Sequence, residues 1–314
     1  MLSRIADSMY WMSRYQERVG ETARLMEINL LYLLEAEEDM PEADKWLPLL
    51  KISSSEDLFT SLYGAEAAVN APRVLQFISG ERGNANSIRS CVRLFRENAR
   101  VARDRISKEM WEAVNELWMS VNDRLKAPLT PEKARPFFVL LRNEISRFDG
   151  ITANTMMRGE AYSFHELGEF MERADMTARI LDVKYHIILP DLSLVGSALD
   201  YYQWAALLKS LSGFETFRRK YHAGFRALDV VEFILFERDF PRSIFFSVAT
   251  MGQALETIGM ENKERTAGAY AALRGMLEHT TAAQVFDSGL HEFLEEFLTK
   301  LGTLHTALAE DFFQ

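Results

Sequence analysis

One cysteine in 314 residues, Cys91, leaves no intramolecular disulfide to form. That pattern is expected of a protein in a reducing compartment, read here as the cytoplasm. Cys91 has no second cysteine and no histidine close in sequence, which reads as a small core residue and not a nucleophile. Long apolar runs are missing as well. The stretch 28–34 is interrupted by Asn29 and is far short of the roughly 18 residues a membrane span requires. The opening MLSRIADSMYWMSRYQER lacks the apolar segment of a signal peptide, so no membrane partner is expected. Positive charge is in deficit, 36 Lys and Arg against 46 Asp and Glu for a net charge of −10. This excludes nucleic acid and anionic lipid as bulk electrostatic partners. None of the six histidines (His165, His186, His222, His279, His291, His305) follows a carboxylate by three residues, so the Glu-x-x-His pair of a di-metal bundle is absent. With no paired cysteines, glycine-rich phosphate loop or nucleophile elbow, no metal and no cofactor is expected.

Glycine (16) and proline (8) are sparse and gather at a few places: Pro41 and Pro48, 127–136, 190–196, and Phe240 with Pro241. These read as breaks between helices. Between them the apolar residues follow helical spacing, as in Leu25, Ile28, Leu31 and Tyr32, and again from Val92 through Phe95, Ala99, Ala102 and Ile106. Residues 230–236 are β-branched enough to suggest a strand, but the related stretch 74–78 runs into a helix-like block, so both read as helix. Ser87 and Ser243 precede apolar segments as N-caps, and Ser107 stands where a helix continues or begins. The expectation is an all-α helical bundle of ten to twelve helices.

The chain repeats itself. YQERVGETARL at Tyr15 matches FMERADMTARI at Phe170, with Glu172 following Glu17 by 155 residues. Val74–Val92 lies over Val230–Val248 at a spacing of 156. Trp46, Leu49, Leu50 and Lys51 lie over Trp204, Leu207, Leu208 and Lys209 at 158, and Phe59 and Tyr63 over Phe217 and Tyr221. Three colinear blocks predict a tandem duplication, with repeats at 1–155 and 156–314 related by a pseudo-two-fold axis and packed as one unit. Around the Glu172 helix, apolar residues from Leu167 to Tyr185 occupy every side, the pattern of a buried helix.

The repeats preserve charge as well as apolar residues. Glu17 and Arg24 are seven apart, and so are Glu172 and Arg179, which puts each pair on one helical face; Arg18 and Arg173 point about 100° away. Burial of a lone charge costs several kcal/mol, so these groups should be paired or bind a ligand. Asp175 can reach Arg179 one turn on, whereas its counterpart is Gly20, leaving Glu21 to approach Arg24. Two readings stand side by side. One is a buried ion-pair network that sets helix register. The other is a pocket in which arginines hold a carboxylate or phosphate and glutamates orient them or act as acid and base. Arg158, in MMRGE ahead of the second ER helix, and Arg242, in PRS at a helix start, are further candidate anion holders. Trp46, Trp111 and Trp204 read as core anchors.

YWMSRYQERVGETARL, ENARVARDRISKEMW at Glu97, MMRGEAYSFHELGEFMERADMTARILD at Met156 and EFILFERDFPRS at Glu232 together resemble the alpha-E family of bacterial all-helical proteins, named for an ER motif. The resemblance spans nearly the whole chain. Its motif falls on Glu17, Arg18 and Arg24, on Arg158, on Glu172, Arg173, Asp175 and Arg179, and on Pro241, Arg242 and Ser243. Gly20 and Glu169 depart from it, at positions where the family commonly has an acidic residue and an arginine. The resemblance implies no enzymatic activity of its own. It implies partnership with a circularly permuted ATP-grasp ligase, and with a transglutaminase-like peptidase, in a peptide or amide ligase system. The function expected on this basis is an accessory protein that binds substrate or docks the ligase through its ER helices. The alternatives are a stand-alone enzyme of amide-bond chemistry with Glu172 as acid/base, and a purely structural interaction module.

Overall fold

Helix starts are set by side chains that satisfy the orphan N–H groups of the first turn. Ser87 accepts from the amide of Ser90 (3.3 Å), Ser107 from that of Met110 (3.1 Å) and Ser243 from that of Phe246 (3.0 Å). Ser107 therefore begins a helix. The computed structural model describes residues 1–35, 41–64, 67–188, 198–222 and 224–314. Among them the chain forms α1 (Ser3–Glu35), α2 (Glu42–Ile52), α3 (Glu56–Tyr63), α4 (Ala71–Ser79), α5 (Ile88–Val101), α6 (Lys108–Arg124), α7 (Pro131–Thr155) and α8 (Glu160–Ile188). These are followed by α9 (Ala198–Ser210), α10 (Phe214–Lys220), α11 (Ala227–Phe236), α12 (Ile244–Thr257), a 3₁₀ turn (Met260–Asn262), α13 (Glu264–Glu278), α14 (Ala282–Ser288) and α15 (Leu290–Phe312).

The fold is all-α, but fifteen α-helices exceed the ten to twelve expected. The surplus comes from elements such as α3, α10 and α14, of 8, 7 and 7 residues, two turns each and too short for periodicity to reveal. Pro48 and Pro136 lie inside α2 and α7 instead of ending helices. In α7 the missing proline donor frees only the Glu132 carbonyl near the start, and the helix continues because Phe137, Phe138, Leu141, Ile145 and Phe148 bury one stripe. Residues 230–236 are helical within α11. The expected break at 190–196 and the side chains of Tyr185 and His186 lie outside the described residues.

Two compact units emerge, one of Trp11–Met157 and one of Met1–Tyr10 with Arg158–Gln314. In the first, α5 packs on α6, α6 on α7, and α4 on both α5 and α7. Its core is aromatic, with Phe95 edge-on to Phe148 at 5.0 Å and Phe59 edge-on to Phe77 at 5.3 Å. Trp46 is buried there, as Cys91 is. In the second unit α8 is the central element, packed against α9, α12 and α15, with Leu167, Ala174, Ala178, Ile180 and Leu181 fully buried. Gly252 of α12 permits a close approach by Tyr270 of α13: a Cβ at that position would lie 1.9 Å from the tyrosine oxygen. The first ten residues seal this unit's end. Tyr10 stacks on His305 (centroids 5.6 Å) and bonds its Nδ1 (2.9 Å), while the Met1 ammonium meets Glu160 at 2.8 Å.

Several features recur at the spacing of the sequence repeats. Helices α5 and α12 are both 14 residues long, and their capping serines are 156 apart. Ser54 (φ 47°) and Ser212 (φ 54°) are the non-glycine residues with positive φ among the described residues, and they are 158 apart. Each closes its helix with the same hydrogen-bond pattern. Ser55 N–H donates to Leu50 O and Gly213 N–H to Leu208 O, while Ser54 and Ser212 donate to Lys51 O and Lys209 O. This is a Schellman ending with serine in the left-handed position that glycine adopts without steric cost. Ser212→Gly should therefore raise stability by about 0.5–1 kcal/mol. Urea denaturation reads this directly, and an unchanged or lower midpoint would count against the strain argument.

Candidate functional site

Helix α8 carries most of the sequence-selected charges. Arg158, just ahead of it, lies 3.8 Å over the ring of Tyr162. Glu172 (1% exposed) and Arg173 (7%) are buried. Arg173 donates to Glu169 (2.5 Å) and covers the ring of Phe170 at 4.6 Å. Two residues beyond, Asp175 holds Arg179 through two parallel bonds, Nε to Oδ2 at 2.8 Å and Nη2 to Oδ1 at 3.1 Å. This fork is only partly buried, with side-chain exposures of 31% for Arg179 and 22% for Asp175. Thr177 donates to the Arg242 carbonyl (3.3 Å), which brings the loop before α12 onto the same helix. Arg158 and Arg179 are not brought together. At 1.5 Å per residue, Tyr162 and Arg179 are about 25 Å apart along α8, too far for one small ligand to touch both.

In the other unit, α1 arranges the matching residues differently. Arg24 Nη1 donates to Glu21 at 2.7 Å, and here both side chains are buried, at 11% and 2% exposure. Glu17 is buried beside them in sequence. Arg18 lies 5.7 Å over Tyr15 and donates to Asn86 (2.6 Å), the residue at the sequence position matched by Arg242. Glu27, one turn further, meets Arg142 of α7 at 2.8 Å. Gly20 sits against Ile145 of α7, whose Cγ2 would be 3.1 Å from a Cβ at that position. A methyl group occupies the space in which α8 has its acidic residue.

Four functional or structural groups escaped the sequence reading. Tyr162 and Glu166 lie one turn apart on α8. Burial, reinforced by the Glu169 charge, raises the Glu166 carboxyl above the ordinary carboxylate range. Burial likewise raises the Tyr162 phenol. Their spacing of i, i+4 was the available signal, but tyrosine beside glutamate is unremarkable in any helix. The other two are the loop glutamates Glu81 and Glu237. Glu81 accepts from the Gly83 amide (3.0 Å) and the Tyr63 hydroxyl (3.0 Å), and its carbonyl accepts from the capping Ser87 hydroxyl (2.7 Å). Glu237 repeats this with the Asp239 amide (3.2 Å), Lys220 and the Ser243 hydroxyl (2.5 Å). The Gly83 amide is the main reason the Glu81 carboxyl lies below its usual range. For Glu237 burial pushes upward, but the Lys220 and Asp239 bonds outweigh it. Burial and the adjacent carboxylate push the Tyr63 phenol up to about 12. These glutamates clamp the turns that aim α5 and α12.

Glu-Arg dipeptides thus stand at both turn clamps, at Glu81 and Glu237, and on both long helices, at Glu17 and Glu172. The model of Alpha-E, a predicted alpha-helical domain with a conserved ER motif, matches residues 1–313. The chain belongs to the Alpha-E family. Neither a curated protein nor a solved structure matches it. In this Alpha-E protein no helix among the described residues is long and apolar enough to cross a membrane. Nor do three His, Cys, Asp or Glu side chains come close enough among them to hold a metal ion. Clefts of about 710 and 920 Å3 lie beside α13 and α15, and none of the ER side chains of α1 or α8 lines them. Chemically, Arg24, Arg173 and Arg179 are each paired with a carboxylate of their own helix, whereas Arg18 reaches Asn86. Of the three pairs with i+3 or i+4 geometry, Glu21–Arg24 is enclosed, Glu169–Arg173 has a buried arginine and Asp175–Arg179 reaches solvent.

Proposed function

We propose that this protein is an accessory, non-catalytic partner of an ATP-grasp peptide or amide ligase, binding substrate or docking the ligase through its ER helices. The observation that carries this reading is the partly exposed fork of Asp175 on Arg179. A guanidinium held by its own carboxylate and partly open to solvent presents its charge to a carboxylate or phosphate on an incoming partner with its orientation fixed beforehand. A stand-alone amide-bond enzyme asks Glu172 to meet substrate, and at 1% exposure it is closed off from solvent. The ligase association, and with it a partnership with a transglutaminase-like peptidase, is what resemblance to the family implies, and the family model matches residues 1–313. A cytoplasmic location belongs to the same reading, in keeping with a single buried cysteine. So does descent of the chain from a tandem duplication, supported by the paired serine caps, Schellman endings and glutamate clamps.

The test is co-purification with a circularly permuted ATP-grasp ligase from the same organism, followed by ligase turnover with and without this protein. Complex formation with a change in turnover is expected. Arg179→Ala should weaken the complex at least tenfold, the loss of one charge-assisted contact. Absence of association together with unchanged turnover would sink the proposal.

A further inference from the structure

The chain is acidic overall, yet residues 209–226 carry five Lys and Arg against the single carboxylate Glu215. The matching stretch of the first half, 51–68 at the same spacing of 158, carries one lysine and three carboxylates. Two of the five cations are spent locally: Lys220 on Glu237, and Arg226 forked onto Asp229 at 2.6 and 2.7 Å. Lys209, Arg218 and Arg219 are exposed and form no ion pair among the described residues.

Aromatic rings lie between these cations. Lys209 Nζ is 5.3 Å and the Arg218 guanidinium 5.7 Å from the centre of the Phe214 ring. Phe214 stacks on Phe225 (5.8 Å, 21°), which stacks on the buried Phe217 (5.2 Å, 10°). Tyr201 meets Phe225 edge-on at 4.7 Å. Tyr201 and Tyr202 are 44% and 58% exposed, among the largest apolar side chains open to solvent. The exposed rings are therefore rooted in the core through Phe217 and are rigid before any partner arrives. Preformed tyrosine and arginine surfaces are where binding energy concentrates at protein interfaces.

We propose that this face of α9, α10 and the segment entering α11 docks an acidic peptide segment of a partner protein, one bearing leucine or phenylalanine side chains. The inference is independent of the ER helices. Charge complementarity selects the occupant: three unspent cations suit a short run of Glu or Asp, and the rings take its apolar side chains. Single-stranded nucleic acid also favours rings and cations, but three cations on a protein of net charge −10 neutralise too few phosphates to hold it.

The probe is a fluorescein-labelled peptide of about twelve residues, half glutamate with two leucines and one phenylalanine, titrated by anisotropy against the full chain. The controls are its glutamine counterpart and an oligothymidine of similar length. Binding of the acidic peptide is expected, weakening severalfold between about 50 and 300 mM salt. Arg218→Glu with Arg219→Glu should reduce it at least tenfold and Tyr202→Ala about fivefold, while Arg124→Glu with Lys126→Glu at the C-terminal end of α6, an equal change of net charge, should leave it unaltered. The substituted side chains are exposed, and unchanged circular dichroism verifies the fold of each variant. The proposal is overturned if the acidic peptide fails to bind, if charge reversal on α10 and α6 acts equally, or if oligothymidine binds more tightly. It is also overturned if sedimentation shows self-association that the α10 reversal abolishes, which would assign the face to a second copy of the chain.

Discussion

Gly20→Asp, which places on α1 the residue that α8 carries as Asp175, should destabilise the protein by about 3–5 kcal/mol. Two costs combine. The new Cβ would meet Ile145 Cγ2 at 3.1 Å, and Ile145 is itself 4% exposed in the aromatic core of its unit, so it has little room to yield. The carboxylate would then enter a site where Arg24 is already engaged by Glu21. Overpacking alone accounts for about 1–3 kcal/mol and an imperfectly paired buried charge for the remainder. Gly20→Ala separates the two, since it carries only the steric part; in an open helix the same change would stabilise by about 1 kcal/mol. Combining Gly20→Asp with Ile145→Ala should recover part of the loss, appearing as a coupling above about 1 kcal/mol in a double-mutant cycle. Urea unfolding is the measurement, and a Gly20→Asp protein within about 1 kcal/mol of the parent would contradict the packing argument.

Glu21→Ala and Asp175→Ala remove chemically similar partners from equivalent arginines, yet their effects should differ severalfold. Glu21 and Arg24 are 2% and 11% exposed as side chains. Removing the carboxylate takes the short bond from a buried guanidinium, for an expected loss of about 2–4 kcal/mol. Asp175 and Arg179 are 22% and 31% exposed, so water replaces much of what is removed and the loss should stay near or below about 1 kcal/mol. Paired denaturation curves decide between this ordering and its reverse. If Asp175→Ala were the costlier, the fork would be a structural brace, and its assignment as a recognition surface would lose its main support.

Helical class was legible because stretches such as 25–32 and 92–106 repeat their apolar residues at helical spacing, and Ser87 and Ser243 announced two starts, while Ser107 was open between continuing a helix and beginning one. Pro48 and Pro136 misled because a proline rule speaks of local cost, whereas burial of Trp46, Leu49 and Leu50 in α2, or of the α7 stripe, outweighs it. Glu81 and Glu237 were visible as repeated letters but not as clamps. Their role depends on amides two residues ahead and a serine hydroxyl six ahead folding back onto one carboxylate and its carbonyl. Asp175 with Arg179 and Glu21 with Arg24 could be paired from helical spacing alone.

What the sequence determined by itself is therefore everything governed by neighbours along the chain: helix class, serine caps, i+3 and i+4 ion pairs, and the charge contrast between 51–68 and 209–226. Tertiary structure alone decided which of those pairs is shielded from water. It also filled the space over Gly20 with Ile145, and rooted the Phe214, Phe225 and Tyr201 rings on a buried phenylalanine. The physical reason is that spacing along a helix sets direction within one element, while desolvation and steric room depend on what the other elements bring alongside it.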